Sequence, residues 1–66
     1  MKTFEITVQI NDYNPIDHKW FKRTLKAEII EETGLVAIAV NKVKRIYAQE
    51  YDTTTKEIEV IGVVEK

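Results

Sequence analysis

Residues 3–10, TFEITVQI, alternate without a break: Phe4, Ile6, Val8 and Ile10 fall on one side, Thr3, Glu5, Thr7 and Gln9 on the other. A period of two carried largely by β-branched residues specifies a strand with one face buried and the other solvated. This strand anchors every other assignment. The segment after it, Asn11 to Pro15 (NDYNP), is dense in turn-forming residues and reads as a turn.

Residues 16–33 admit two readings. For a helix, Asn14 would cap, Pro15 would take the first helical position, Asp17 would sit in the first turn and Gly34 would close the end. The interior fits less well, because Phe21, Leu25 and Ile29 form one stripe while Ile16, Trp20, Ala27 and Ile30 fall nearly opposite. A helix on a small sheet has one apolar face. For a strand, residues 19–30 alternate, with Phe21, Arg23, Leu25, Ala27 and Ile29 inward and Lys22, Thr24, Lys26 and Glu28 outward. Arg23 is the one poor member of the inward set, tolerable near a strand's outer end.

The following segment favours the strand. From Val36 the apolar residues fall at 36, 39, 40, 43, 46 and 47, a one-sided stripe over three turns. It predicts a helix of about 15 residues that lays Val36, Ala39, Val40, Val43, Ile46 and Tyr47 on the sheet, with Thr33 available to cap its start. Asp52 to Lys56 (DTTTK) then reads as a loop, and Glu57 to Val64 as the last strand.

The expected fold is therefore α+β: a two-layer β-β-α-β unit with a three-stranded antiparallel sheet in the order 2-1-3 and one helix on one face. The alternative is β-α-β-β, with residues 43–51 as a strand. Residues 1–66 form a single small α+β domain. A chain of this length buries only about 60% of its unfolded surface, so its stability is modest. Without cysteines it has neither disulfides nor thiolate metal sites. That leaves oligomerisation as compensation.

The layout resembles small accessory proteins encoded by bacteriophages and mobile elements of Gram-positive bacteria. The likeness rests on the alternating strand FEITVQI and a second strand ending in Leu25, Ala27 and Glu28. The helix VAIAVNKVKRIYA and the terminal strand IEVIGVVE complete it. It covers nearly the whole chain, implies a binding accessory without an assigned activity, and transfers no site residues.

Catalytic signatures do not emerge from the residues. The chain has no serine, which excludes a Ser-His-Asp arrangement, and its two glycines, Gly34 and Gly62, cannot build a phosphate-cradling loop. Cys-His chemistry is excluded with the cysteines. His18, beside Asp17 and Lys19, reads as an exposed turn histidine, and Asp12 and Asp17 lack the oxygen spacing of a calcium loop. The expectation is a non-enzymatic protein with no catalytic residue, no metal site and no cofactor.

Two surfaces then compete as binding sites. The segment 18–26 (HKWFKRTLK) carries Lys19, Lys22, Arg23 and Lys26 around Trp20 and Phe21, with no acidic residue. Cations for phosphates and flat rings for bases are what a single-stranded nucleic-acid surface uses. Lysines on an edge strand also serve simply to block aggregation. The second surface is apolar. Leu35 and Ile38 fall off the helix's core stripe. Ile61 and Val63 would point from the open face of the last strand, unless a bulge at Gly62 shifts the register.

The preferred expectation is an accessory protein acting through protein–protein contacts at Leu35, Ile38, Ile61 and Val63. Its protein partner is unknown, and a homodimer through the open face or an edge strand is one form the contact could take. The alternative is a nucleic-acid-binding module using Lys19, Trp20, Lys22, Arg23 and Lys26. Net charge is −1 and no apolar run approaches the roughly 20 residues of a membrane span, so no membrane role is expected. Met1-Lys2-Thr3-Phe4 leads straight into the strand without a signal-peptide core, which makes a cytoplasmic location the default expectation.

Overall fold

A computed structural model describes all 66 residues, Met1–Lys66. It contains β1 (Lys2–Asn14), β2 (Lys19–Glu31), α1 (Val36–Glu50), a single 3-10 turn (Thr55–Glu57) and β3 (Glu59–Glu65). Both strand pairings are antiparallel and the sheet order is β2-β1-β3, the expected β-β-α-β arrangement. Residues 19–31 are a strand, in unbroken register with β1 from Lys2↔Glu31 to Asn14↔Lys19.

The turn lies further along than its residues suggested. Asn11 to Asn14 continue β1, and the reversal occupies Pro15–His18. Asn14 Oδ1 accepts from the Ile16 N–H at 3.0 Å, and Asn14 Nδ2 donates to Asp17 Oδ2 at 3.1 Å. His18 closes the turn with φ 54, a left-handed conformation that histidine tolerates better than most residues.

Phe4, Ile6, Val8 and Ile10 of β1 are buried with Ala39, Val43 and Ala48 of α1 and Ile58. Leu25, Ala27, Ile29, Val40, Tyr47, Tyr51 and Val60 pack around them. The helix packs chiefly on β2 and β1. That placement corrects the expected stripe, because Val36 and Ile46 remain exposed while Ala48 is buried. Thr33 does not cap the helix either. The N-cap position is Leu35, without a side-chain cap, and Thr33 Oγ1 instead accepts from the Leu35 N–H at 3.2 Å.

The helix ends in a Schellman motif. The Thr53 N–H reaches the Ala48 carbonyl at 2.8 Å and the Asp52 N–H reaches Gln49 at 3.4 Å, with Asp52 at φ 52 where glycine is the usual occupant. The chain then winds through Thr55–Glu57, so β3 starts at Glu59 rather than Glu57. A bulge falls between Thr7↔Gly62 and Val8↔Val60 and leaves Ile61 as the extra residue.

Residues directly opposite in an antiparallel pair share a face. Val63, opposite buried Ile6, therefore lies on the helix side of β3, where it stays exposed. The bulge, rather than an open-face position, decides where Val63 points.

The molecule measures 43 × 18 × 14 Å. At a rise of about 3.3 Å per residue, thirteen-residue strands account for that long axis. The helix is about 22 Å long at 1.5 Å per residue, so it covers roughly half of the hairpin. The other half projects.

Candidate binding surface at the hairpin end

Beyond Ile10, β1 has β2 on one side only, since β3 pairs with it from Phe4 to Gln9. The projecting end carries Tyr13, Ile16, Trp20 and Phe21, all exposed; Trp20 is 71% and Ile16 86% accessible. No core lies near them to bury.

The pairing sorts the segment 18–26 onto two faces. On the open face Tyr13 stands opposite Trp20, with ring centroids 5.3 Å apart and planes tilted by 50°. Asn11 faces Lys22 and Thr7 faces Lys26 in the same row of pairs. On the helix-side face Asn14 faces Lys19, Asp12 faces Phe21, and Ile10 faces Arg23. Arg23 Nε donates to Asp12 Oδ2 at 2.9 Å, and its guanidinium lies 5.3 Å from the Phe21 ring centroid. Thus Trp20, Lys22 and Lys26 come together, while Lys19 and Arg23 are turned away and Arg23 is neutralised.

Of the apolar candidates, Leu35, Ile61 and Val63 are exposed and Ile38 is half-buried. They lie on different elements and form no common row: Leu35 precedes the helix, Ile61 is the bulge residue, and Val63 faces the helix side.

The backbone at the projecting end can be assigned direction. Tyr13 N–H bonds to Asp12 Oδ1 at 2.9 Å, and the Thr3 carbonyl accepts from the Lys66 N–H at 2.8 Å beside β3. Alternate residues of a strand direct both backbone groups to one edge. Odd-numbered residues of β1 therefore face β3, and beyond β3 Asn11 and Tyr13 face open space. The even-numbered residues of β2 correspondingly face its outer edge, where the Tyr47 hydroxyl donates to the Lys26 carbonyl at 3.1 Å. Burial pushes the Tyr47 hydroxyl pKa up from its ordinary 10.0, with Glu50 and Tyr51 adding to the rise.

A cleft of about 690 Å³ opens between the hairpin and the loop after the helix, lined by Asn11, Trp20, Asp52, Thr53, Thr54 and Glu57. A second, smaller recess lined by Gln9, Ile10, Asn11, Lys22, Glu57 and Glu59 shares two of those residues. Asp52, Glu57 and Glu59 form none of the molecule's five ion pairs.

Asn11 and Tyr13 were not legible as site residues, because NDYNP carries a turn signature. The available signal was that Asn11 and Tyr13 prolong the outward set Thr7 and Gln9 in the same alternation.

Comparison with protein families, with curated proteins and with solved structures finds no match to this chain. What is shown is a small α+β unit. No helix in it is long and apolar enough to cross a membrane.

Proposed function

We propose that this chain is a non-enzymatic binding protein that engages a protein partner through the projecting end of its β1–β2 hairpin. The observation that carries the reading is the exposure of Tyr13, Ile16, Trp20 and Phe21 where the fold has no use for them. Tryptophan and tyrosine are among the residues that dominate the energetics of protein interfaces, and Trp20 and Tyr13 stand here side by side on the open face of a two-stranded support. The contact address thus moves from Leu35, Ile38, Ile61 and Val63 to the hairpin end.

Single-stranded nucleic acid is the second reading, favoured by Trp20 beside Tyr13 in line with Lys22 and Lys26. Against it, Glu5, Glu28 and Glu59 share that face and Asp52 and Glu57 flank Trp20. Self-association through the middle of β2 meets a similar obstacle, since two-fold antiparallel pairing about Thr24 sets Lys22 against Lys26 of the other copy.

The test compares wild type with Trp20→Ala and Ile16→Asp in affinity capture from source cells, with sedimentation and salt-dependent oligonucleotide titration alongside. A specific protein retained by wild type and lost by both variants supports the reading. Equal retention by all three, or tight oligonucleotide binding at low salt, overturns it.

A further inference from the structure

We propose that the cleft between Trp20 and the loop Asp52–Glu57 takes an arginine or lysine side chain from an extended segment of the protein partner; this rests on the hairpin-end reading. The lining offers Trp20 as an exposed aromatic wall and two carboxylates, with no basic residue among its six members. A cation over an indole ring is attracted to the ring face, and tryptophan is the best such partner. The C-terminal end of α1 brings its own negative partial charge to the same place.

Asp52 is the informative residue. It sits just past the helix C-terminus, where a carboxylate opposes the macrodipole, and at φ 52, where glycine is less strained. It makes no ion pair that would offset either cost. Asparagine would fit the same left-handed position without a charge, so the Asp52 carboxylate adds nothing to the turn beyond its charge, which stands unpaired on the cleft. Asn11 adds the second half of the site. Its backbone N–H and C=O face the lane beyond β3, beside the same cleft, and supply a short strand edge for an extended main chain. Charge selects the basic side chain, and the edge selects an extended backbone.

The probe is a blocked pentapeptide, Ac-Ala-Arg-Ala-Arg-Ala-amide, titrated against the full chain, with the glutamate peptide of the same length as control. Emission is read from Trp20, the sole tryptophan, and amide shifts by NMR. Saturable shifts at Asn11, Trp20 and Asp52–Glu57 with the arginine peptide only are expected. The pair Asp52→Asn and Glu57→Gln, chosen to keep the left-handed position and the side-chain shapes, weakens binding about tenfold.

Three results overturn the proposal: no shifts at these residues at millimolar peptide, an equal response to the glutamate peptide, or undiminished binding by the double variant. Retention of the cellular partner by the double variant but not by Trp20→Ala would leave the hairpin-end reading standing while removing the cleft.

Discussion

Glu5 and Glu28 stand directly opposite each other across β1 and β2 on the open face, two like charges in the closest relationship a sheet allows. Lys66 resolves the conflict. Its ammonium lies 2.9 Å from Glu28 Oε2 and 3.3 Å from Glu5 Oε2, and its backbone N–H is held by Thr3. Glu28, and then Glu5, pushes the Lys66 pKa above its ordinary 10.5. A raised pKa on a base means stability present below pH 10.5 and lost as pH rises through the higher folded value. Lys66→Met should lower the thermal midpoint at pH 7 and low salt, and Glu28→Gln in that background should restore part of it. Because all three groups are solvated, 1 M salt should shrink both effects. Indifference of the midpoint to salt in the single variant would refute the account.

Glu31 is the buried charge, 3% exposed at the end of β2. Lys42 Nζ meets its Oε2 at 2.7 Å, and the Thr33 N–H and hydroxyl donate to its Oε1 at 3.3 and 3.2 Å. The Lys42 hydrogen bond, opposed by burial and assisted by Thr33, holds the carboxyl below its ordinary 4.5. A depressed carboxylate contributes stability above pH 4.5 that disappears as pH falls through the folded value. Glu31→Gln should therefore be less stable than wild type at pH 7, with the gap closing below pH 4.5. Urea midpoints at pH 7, 5 and 3 would show it; a gap unchanged at pH 3 contradicts the linkage.

Tyr47 guards an edge. Its hydroxyl occupies the Lys26 carbonyl on the outer side of β2, the longest unpaired edge in the molecule. Tyr47→Phe should cost about 0.5–1 kcal/mol, since the bond is partly solvated, and should leave that edge more open to strand addition. Sedimentation at rising concentration should show more association than wild type. Identical profiles would mean that Lys22, Lys26 and the edge's twist suffice without the tyrosine.

Ile6 and Trp20 should behave as opposites. Ile6 is fully buried at the centre of the sheet, and Ile6→Ala should cost about 2–5 kcal/mol, enough to unfold much of so small a domain. Trp20→Ala should cost no more than about 1 kcal/mol, because the indole covers no core and loses only its cross-strand pairing with Tyr13. Chemical denaturation of both variants settles the contrast, and a large loss from Trp20→Ala would assign that ring a structural duty.

Gly34 has φ 70, and a Cβ there would lie 3.3 Å from the Lys2 side chain. Gly34→Ala should cost about 1–2 kcal/mol from the left-handed backbone alone. Lys2 can swing aside, so removing it with Lys2→Ala should recover little. Full recovery in the double variant would place the cost in the contact rather than the backbone.

The sequence by itself determined the first strand and the helix, and favoured the β-β-α-β order over β-α-β-β. Alternation from Thr3 to Ile10, the weaker alternation through 19–30 and the stripe beginning at Val36 are properties of neighbours along the chain, and periodicity reports them directly. The absence of serine and cysteine likewise excluded whole classes of chemistry without coordinates.

Only the tertiary structure decided which side chains are left over. NDYNP has the composition of a turn, yet pairing with Lys19–Lys22 holds Asn11 to Asn14 in the strand and moves the reversal to Pro15–His18. Val36 and Ile46 belong to the apolar stripe but are exposed, because the helix sits over β2 and β1. One bulge at Ile61 turns Val63 to the helix side. Arg23 reads as part of a basic patch until the register puts Asp12 within reach of it. In each case exposure depends on what lies opposite, which is set by strand register and by a helix half as long as the hairpin it covers. The projecting half, and with it the surface around Trp20, follows from that mismatch in length.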